Sequence, residues 1–218
     1  MKPVVFALVG GVASGKSAVA RAFEKRGARV IDADAVGHEV LGEAAIKREL
    51  AGAFGPGILL ASGEVERAVL AKAVFGDAEK VKRLNAITHP RIRALNKQRL
   101  AAAMKEKGLA AVVLDVSLLL ESGAYEGAYD RLVFVDADEH SREKRAQQAR
   151  GWKKGEVRRR QKHQMPLDEK QKRAAVVIDN NGTLEDLDRQ VGNLWSKFVK
   201  KQRVTGSAKP AGRSAPRK

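Results

Sequence analysis

Short apolar runs alternate with stretches of helical period along this chain. Val4-Val5-Phe6-Ala7-Leu8-Val9 is an uninterrupted apolar run of strand length, as a strand buried on both faces requires. Ser17 to Lys25 follows with Ala, Val and Phe at helical spacing, and Gly27 ends that helix. A second strand is predicted over Ala28-Arg29-Val30-Ile31-Asp32. Helical patterning then dominates from Ala35 to about Lys107, with breaks at Phe54-Gly55-Pro56-Gly57 and Ala61-Ser62-Gly63. That interval is too long for one crossover helix, so it predicts a mostly helical insertion. Ala111-Val112-Val113-Leu114-Asp115, Arg131-Leu132-Val133-Phe134-Val135 and Ala174-Ala175-Val176-Val177-Ile178-Asp179 predict three more strands. The segment between the last two predicts two helices broken near Gly151 to Gly155, and Thr183-Leu184-Glu185-Asp186 predicts the cap of a final amphipathic helix. Strands alternating with helices imply an α/β fold whose parallel sheet offers ligand sites at the strand carboxyl ends.

Between the first strand and the first helix stands Gly10-Gly11-Val12-Ala13-Ser14-Gly15-Lys16-Ser17, spelling G-x-x-x-x-G-K-S. Strand, glycine-rich turn and helix are the context this phosphate-cradling loop requires. Glycines let the backbone approach a phosphate with several N–H groups turned inward, and the following helix adds the positive end of its dipole. Lys16 would supply a mobile charge to the β- and γ-phosphates, and the Ser17 hydroxyl a ligand to Mg²⁺. The bland alternative is a glycine-rich turn with a surface lysine.

Composition narrows the class. Among 218 residues there is no cysteine, which removes disulfides, thiolate metal sites and a cysteine nucleophile. His38, His89, His140 and His163 lie too far apart for zinc-ligand spacing. Lys2 and the apolar run after it lead into the phosphate loop rather than a cleavage site, and no stretch reaches membrane-spanning length, so a cytoplasmic protein is expected. The net charge of +16 fits nucleic acid, a membrane surface or a polyphosphate substrate. From Arg203 to Lys218 there are five basic residues and no acidic one among Gly, Ser, Ala and Pro, a tail expected to be disordered. A second concentration, His140 to Arg173, holds thirteen Lys or Arg against four Asp or Glu.

Acidic residues stand where strands end: Asp32 and Asp34 after the second, Asp115 at the end of the third. In a doubly wound sheet all three should converge near the phosphate loop, where carboxylates can bind Mg²⁺ through water or take a proton from an attacking hydroxyl. Helix capping is the plainer reading for Asp32 and Asp34, because Asp34 precedes a helix. For Asp115 a Mg²⁺ shell and a simple strand terminus stand level. A GTPase switch finds little support: Asp34-Ala35-Val36-Gly37 spells D-x-x-G, but Asn96-Lys97 continues as Gln98-Arg99 and no guanine motif follows.

Further elements fall in a specific order. They are Val30-Ile31-Asp32-Ala33-Asp34, Phe54-Gly55-Pro56-Gly57-Ile58-Leu59, Gly63-Glu64-Val65-Glu66-Arg67, Val74-Phe75 and Asn85-Ala86-Ile87-Thr88-His89-Pro90. Leu118-Leu119-Leu120-Glu121, Gln164-Met165-Pro166-Leu167 and Val177-Ile178-Asp179-Asn180-Asn181-Gly182 complete the set. With the phosphate loop, this set resembles the dephospho-CoA kinase family from Val4 to about Phe198. The resemblance implies ATP-dependent phosphorylation of the ribose 3′-hydroxyl of dephospho-CoA, with ATP and Mg²⁺ as cofactors and a small molecule as partner. It also implies a P-loop NTPase-type three-layer fold in one kinase domain, residues 1–200, with the basic tail at 201–218. Within the domain, the core would take 1–40, 108–139 and 174–200, a helical acceptor region 41–107, and a mobile basic lid 140–173.

The site residues implied are Asp34 as base, with Lys16 and Arg145 beside it in catalysis. Nucleotide contacts would come from Gly10 through Ala18, Arg150 and Asn180; acceptor contacts from Asp32, Asp34, Arg67, His89 and Glu121; metal ligands from Ser17 and Asp115. Where the family pattern has other residues, this chain has Ala18 after Gly15-Lys16-Ser17, Ser117 before Leu118-Leu119, and Ala175 before the Val177-Ile178-Asp179 stretch. Counting back from Gln164 puts Ala149 where a second lid arginine is expected, with Arg150 one step off. His89-Pro90 fits a structural turn as well as it fits acceptor contact.

Two other readings compete. A kinase of this build could serve another nucleotide-like acceptor. A nucleic-acid-binding protein could use the basic segment and tail on phosphates, but the segment has a single aromatic, Trp152, and no interleaved stacking pattern. Nucleic acid is therefore expected only as a nonspecific partner of the tail, and the sequence is silent on oligomeric state.

Overall fold

A computed structural model describes residues 2–74 and 76–200; the basic tail, 201–218, and Phe75 of the Val74-Phe75 element lie outside the described residues. Five strands form one sheet: β1 (Val4–Gly10), β2 (Arg29–Asp32), β3 (Ala111–Asp115), β4 (Arg131–Asp136) and β5 (Val176–Asp179). Every pairing is parallel and the spatial order is β2-β3-β1-β4-β5. All seven residues of β1 are buried, as a continuous apolar run in the middle of a two-faced sheet must be.

Alternation along β1 divides the core. Val4, Phe6 and Leu8 face helix α1 (Lys16–Glu24) and helix α10 (Leu184–Leu194), packing with Val19, Phe23, Leu187 and Val191. Phe6 and Phe23 are fully buried with ring centroids 4.8 Å apart. Burial of each contributes roughly 1.5–3 kcal/mol. Val5, Ala7 and Val9 face the other way, toward the end of α5 (Ala78–Ala103) and Leu119 of the short α6 (Leu119–Ser122). Helices on both faces make the three-layer α/β fold expected from the sequence.

Residues after β2 build a separate apolar cluster. Helices α2 (Ala33–Gly42), α3 (Ala44–Phe54) and α4 (Arg67–Val74) bury Val36, Val40, Ile46, Leu50, Leu70 and Val74 against the middle of α5. At 26 residues α5 is about 39 Å long and reaches from this cluster to the sheet. The predicted breaks hold: Gly55 (φ 91°) ends α3 before a 3₁₀ turn at Pro56–Ile58, and the Leu59–Val65 bridge brackets the Gly63 turn.

Two expectations need correction. Pro90 is not in a turn; it sits inside α5, where Thr88 Oγ1 donates to Leu84 O at 2.9 Å. Packing against α2 and α3 on one side and the sheet on the other outweighs the hydrogen bond that proline removes. The basic segment forms three helices rather than two: α7 (Glu139–Arg150), α8 (Glu156–Gln161) and α9 (Leu167–Arg173). The extra break comes before Pro166, whose ring disfavours helical backbone in the residue ahead of it. The capping box of α10 forms as predicted, with Thr183 and Asp186 exchanging side-chain and backbone hydrogen bonds.

Candidate active site

The sheet order reverses direction at β1, so the crevice beyond its carboxyl end is where a doubly wound fold places its ligand. Gly10 through Gly15 fill that position. Gly15 has φ 93°, and a Cβ there would lie 2.2 Å from Asn180 Nδ2. Only glycine meets both constraints. Asn180 Nδ2 donates to Ser14 O at 2.7 Å, and Asn180 N donates to Asp136 O at 2.8 Å, tying the loop to the end of β4. The Ser14 hydroxyl is buried and has no hydrogen-bond partner among the described residues.

A cavity of about 690 Å³ opens over the loop. Lys16, Ser17, Ala18, Asp32, Asp34, Asp115, Arg145, Arg150 and Asn180 are among the residues that line it. Sequence reasoning expected the three aspartates to converge here, and they do. Register explains it: Asp115 pairs with Leu8 of β1 and with Asp32 of β2, so adjacent parallel strands end level.

Lys16 lies back over the loop, with Nζ 3.4 Å from Gly11 O. Burial pushes its pKa down, and the charges of Lys170 and Arg150 add to that, against the pull of Asp115 and Asp34. Ser17 Oγ donates to Asp115 Oδ2 at 3.2 Å. Burial raises the Asp115 carboxyl, and Asp32 and Asp34 raise it further, while Lys16 and the Ser17 hydroxyl oppose them.

The capping question resolves by position. Asp32 is the N-cap of α2: its Oδ1 accepts Asp34 N at 2.8 Å and Ala35 N at 3.1 Å. Asp34 stands inside the first turn, exposed to the cavity, so it is not the cap that the sequence allowed it to be. Ser117 Oγ, noticed in the sequence only as a replacement, donates to Asp34 Oδ1 across 3.5 Å.

Beside the loop, Arg145 on α7 donates to Asn180 O at 2.5 Å and Ser14 O at 3.4 Å. Arg150, at the end of α7, lines the cavity and lies 4.9 Å from the Trp152 ring centroid, with Arg160 at 4.2 Å from the same centroid. Gly10, Gly11 and Val12 of the loop do not line the cavity, and neither do three of the predicted acceptor residues. Arg67 begins α4 and pairs with His38 Nε2 at 2.7 Å. His89 lies midway along α5, where burial and Arg93 push its pKa down. Glu121 Oε1 accepts Lys170 Nζ at 2.8 Å and Met165 N at 3.0 Å.

Lys170 itself went unnoticed in the sequence. It is 1% exposed, yet it reads as one more charge in a basic helix, and spacing alone carries no signal of its burial. Arg142 and Gln161, which reach the phosphate loop from α7 and α8, were hidden in the same way.

Comparison with known proteins agrees with this geometry. A dephospho-CoA kinase family model matches residues 4–186. The dephospho-CoA kinase of Geobacter sulfurreducens is 41% identical over 194 residues, 88% of this chain and 98% of the relative. The crystal structure of TT1252 from Thermus thermophilus superposes with a TM-score of 0.74 at 33% identity, over 91% of this chain and 99% of that one. Dephospho-CoA kinase from Campylobacter jejuni shares the fold at a TM-score of 0.65 and 24% identity, over 90% and 97%. The chain belongs to the dephospho-CoA kinase family, kinases that phosphorylate dephospho-CoA at the expense of ATP.

Proposed function

We propose that this kinase transfers the γ-phosphoryl group of ATP to the ribose 3′-hydroxyl of dephospho-CoA, with Asp34 as the group that accepts the hydroxyl proton. The observation that carries this reading is the meeting of Lys16, the Ser17–Asp115 pair and an uncapping Asp34 in one cavity. Phosphoryl transfer depends on positioning and on neutralising spread negative charge. Residues 10–18 hold the phosphates by backbone N–H groups and the start of α1, and Lys16 carries positive charge to the phosphate that moves. Asn180 braces Gly15 from behind. Arg145 reaches the same phosphate from α7, with Arg150 beside it on the nucleotide.

Ser17 and Asp115 fit Mg²⁺. They offer two hard oxygen donors already in contact, and among the described residues no group of three His, Cys, Asp or Glu side chains forms a closed cage. An open site of this kind suits an ion that keeps waters and phosphate oxygens in its shell. When bound there, Mg²⁺ supplies further neutralisation of the phosphate charge.

Residues 41–107 form the acceptor region and residues 140–173 a lid in this reading. Asp32 and Asp34 meet the ribose, and Arg67 and His89 meet the acceptor when the helical cluster moves toward the cavity. Glu121 acts from behind, holding α6 to α9 through Lys170. Closure of the arginine-bearing α7 over the cavity would exclude water, which otherwise consumes ATP.

The test is ATP consumption measured against dephospho-CoA, nucleoside monophosphates and pantetheine derivatives, with the phosphorylated position read by phosphorus NMR. Turnover with dephospho-CoA and a new 3′-phosphate is the expected result. Preference for a nucleoside monophosphate would replace the acceptor and keep the phosphate chemistry. Removing residues 203–218 should leave turnover intact and weaken polynucleotide retention.

A further inference from the structure

The charge run of residues 140–173 conceals two side chains that turn inward onto the phosphate loop. Arg142 is 7% exposed. Its Nε donates to Ala137 O at 3.1 Å, and its Nη1 donates to Gln161 Oε1 at 3.4 Å. That same Gln161 oxygen accepts the backbone N–H of Val12 at 2.9 Å. One amide oxygen thus joins α7, α8 and the middle of the phosphate loop. Gly11 lies against the guanidinium so closely that a Cβ there would fall 2.8 Å from Arg142 Nη1. Around the junction Val12, Ala146 and Val157 are buried together, with Ala13 and Trp152 packed on them. Ala13 is the single non-glycine residue with positive φ among those described, at 60°.

We propose that Arg142 and Gln161 are positioning residues: they latch α7 and α8 to Gly11–Val12 and set the affinity of the loop for the phosphates of the nucleotide. The proposal rests on the phosphate-loop reading of residues 10–17 and not on the identity of the acceptor. The loop binds through the directions of its N–H groups, and a peptide that can rotate offers the wrong ones. Fixing Val12 N–H on Gln161 turns that peptide one way before any nucleotide arrives, so less ordering remains at binding. The left-handed backbone at Ala13 disfavours this arrangement in isolation, and the packing of Trp152 and Val157 holds it in place. Arg142 orients Gln161 by donating to the oxygen that Val12 shares, and it bears a buried positive charge with no carboxylate partner among the described residues. Removing the Gln161 oxygen leaves both donors buried and unpaired.

The experiment is the dissociation constant of ADP, measured by calorimetry on the full chain, alongside KM for ATP and kcat. Gln161→Leu is expected to weaken ADP and raise KM for ATP by about tenfold, with kcat changed less than about threefold. Gln161→Glu keeps an acceptor oxygen for Val12 and Arg142, so it should stay within about threefold of the parent in ADP affinity. Parental ADP affinity in Gln161→Leu overturns the proposal, as does equal weakening in both variants. Should Gln161→Leu fail to fold, amide exchange in the unliganded parent decides: Val12 N–H should be protected, and fast exchange there overturns the proposal. Failure of dephospho-CoA as acceptor would leave every binding outcome readable.

Discussion

Asp32 caps the helix that carries Asp34: its Oδ1 accepts the backbone N–H of Asp34 at 2.8 Å. Two aspartates that the sequence offered for one pair of jobs are divided by a single turn of geometry. Asp34→Asn should keep near-parental thermal stability and ATP binding while kcat with dephospho-CoA falls by roughly a hundred- to ten-thousandfold, since asparagine cannot take a proton. Asp32→Ala should cost about 1 kcal/mol of stability through the lost cap. A single-turnover rate at saturating ATP beside a melting curve reads both. Retained kcat in Asp34→Asn would mean that the acceptor hydroxyl reacts without a base.

Lys16 is the half-buried cation of the loop, and its removal should be felt in rate more than in fold. Lys16→Ala is expected to lower turnover by about a hundredfold or more. Circular dichroism should match the parent. A folded variant with near-normal turnover would contradict the phosphate-loop assignment.

Arg145 holds the carbonyls of Ser14 and Asn180, while Arg150 lies over Trp152. If Arg145 meets the transferring phosphate, Arg145→Ala should lower kcat by about a hundredfold and weaken ATP less. Arg150→Ala should do the reverse, raising KM for ATP with the smaller effect on kcat. Parallel Michaelis curves for the two variants separate the roles, and two parental profiles would remove both arginines from the reaction.

Glu121 and the fully buried Lys170 stabilise the contact of α6 with α9 in a pH-dependent way. Burial pushes the Glu121 carboxyl up, but hydrogen bonds from Lys170 and Met165 N, with the Lys170 charge, leave it below its usual value of 4.5. The unfolded chain therefore binds the proton first. The stabilisation is complete above about pH 4.5 and is lost as pH falls through the lowered folded value. Glu121→Ala, which leaves the buried lysine without its carboxylate and with only Gln164 Oε1 at 3.1 Å, should cost about 3 kcal/mol at neutral pH, and Lys170→Met should cost less. Urea unfolding from pH 3 to 7 checks both signs. A stable Glu121→Ala with a raised KM for dephospho-CoA would instead make Glu121 an acceptor contact.

The five strands, the phosphate loop and the ordered elements of the family were legible in the chain itself. The reason is local: a strand buried on both faces must be apolar throughout, and a loop that cradles phosphate needs glycines at fixed offsets. The carboxyl-end rule brings Asp32, Asp34 and Asp115 together from the order of strands alone, because parallel neighbours end level. What the chain could not reveal was which charges turn inward. Arg142 and Lys170 look like their exposed neighbours in a run of thirteen cations, and a helical period cannot distinguish a solvated arginine from one beneath the phosphate loop. Pro90 is continued through because contacts distant in sequence outweigh local preference, whereas the cap falls on Asp32 through bonds to backbone two and three residues on. Local patterning determined the elements and the chemistry of the loop; packing between α7, α8 and β1's carboxyl end decided which side chains hold that loop, since burial is a property of the assembled layers and not of any one segment.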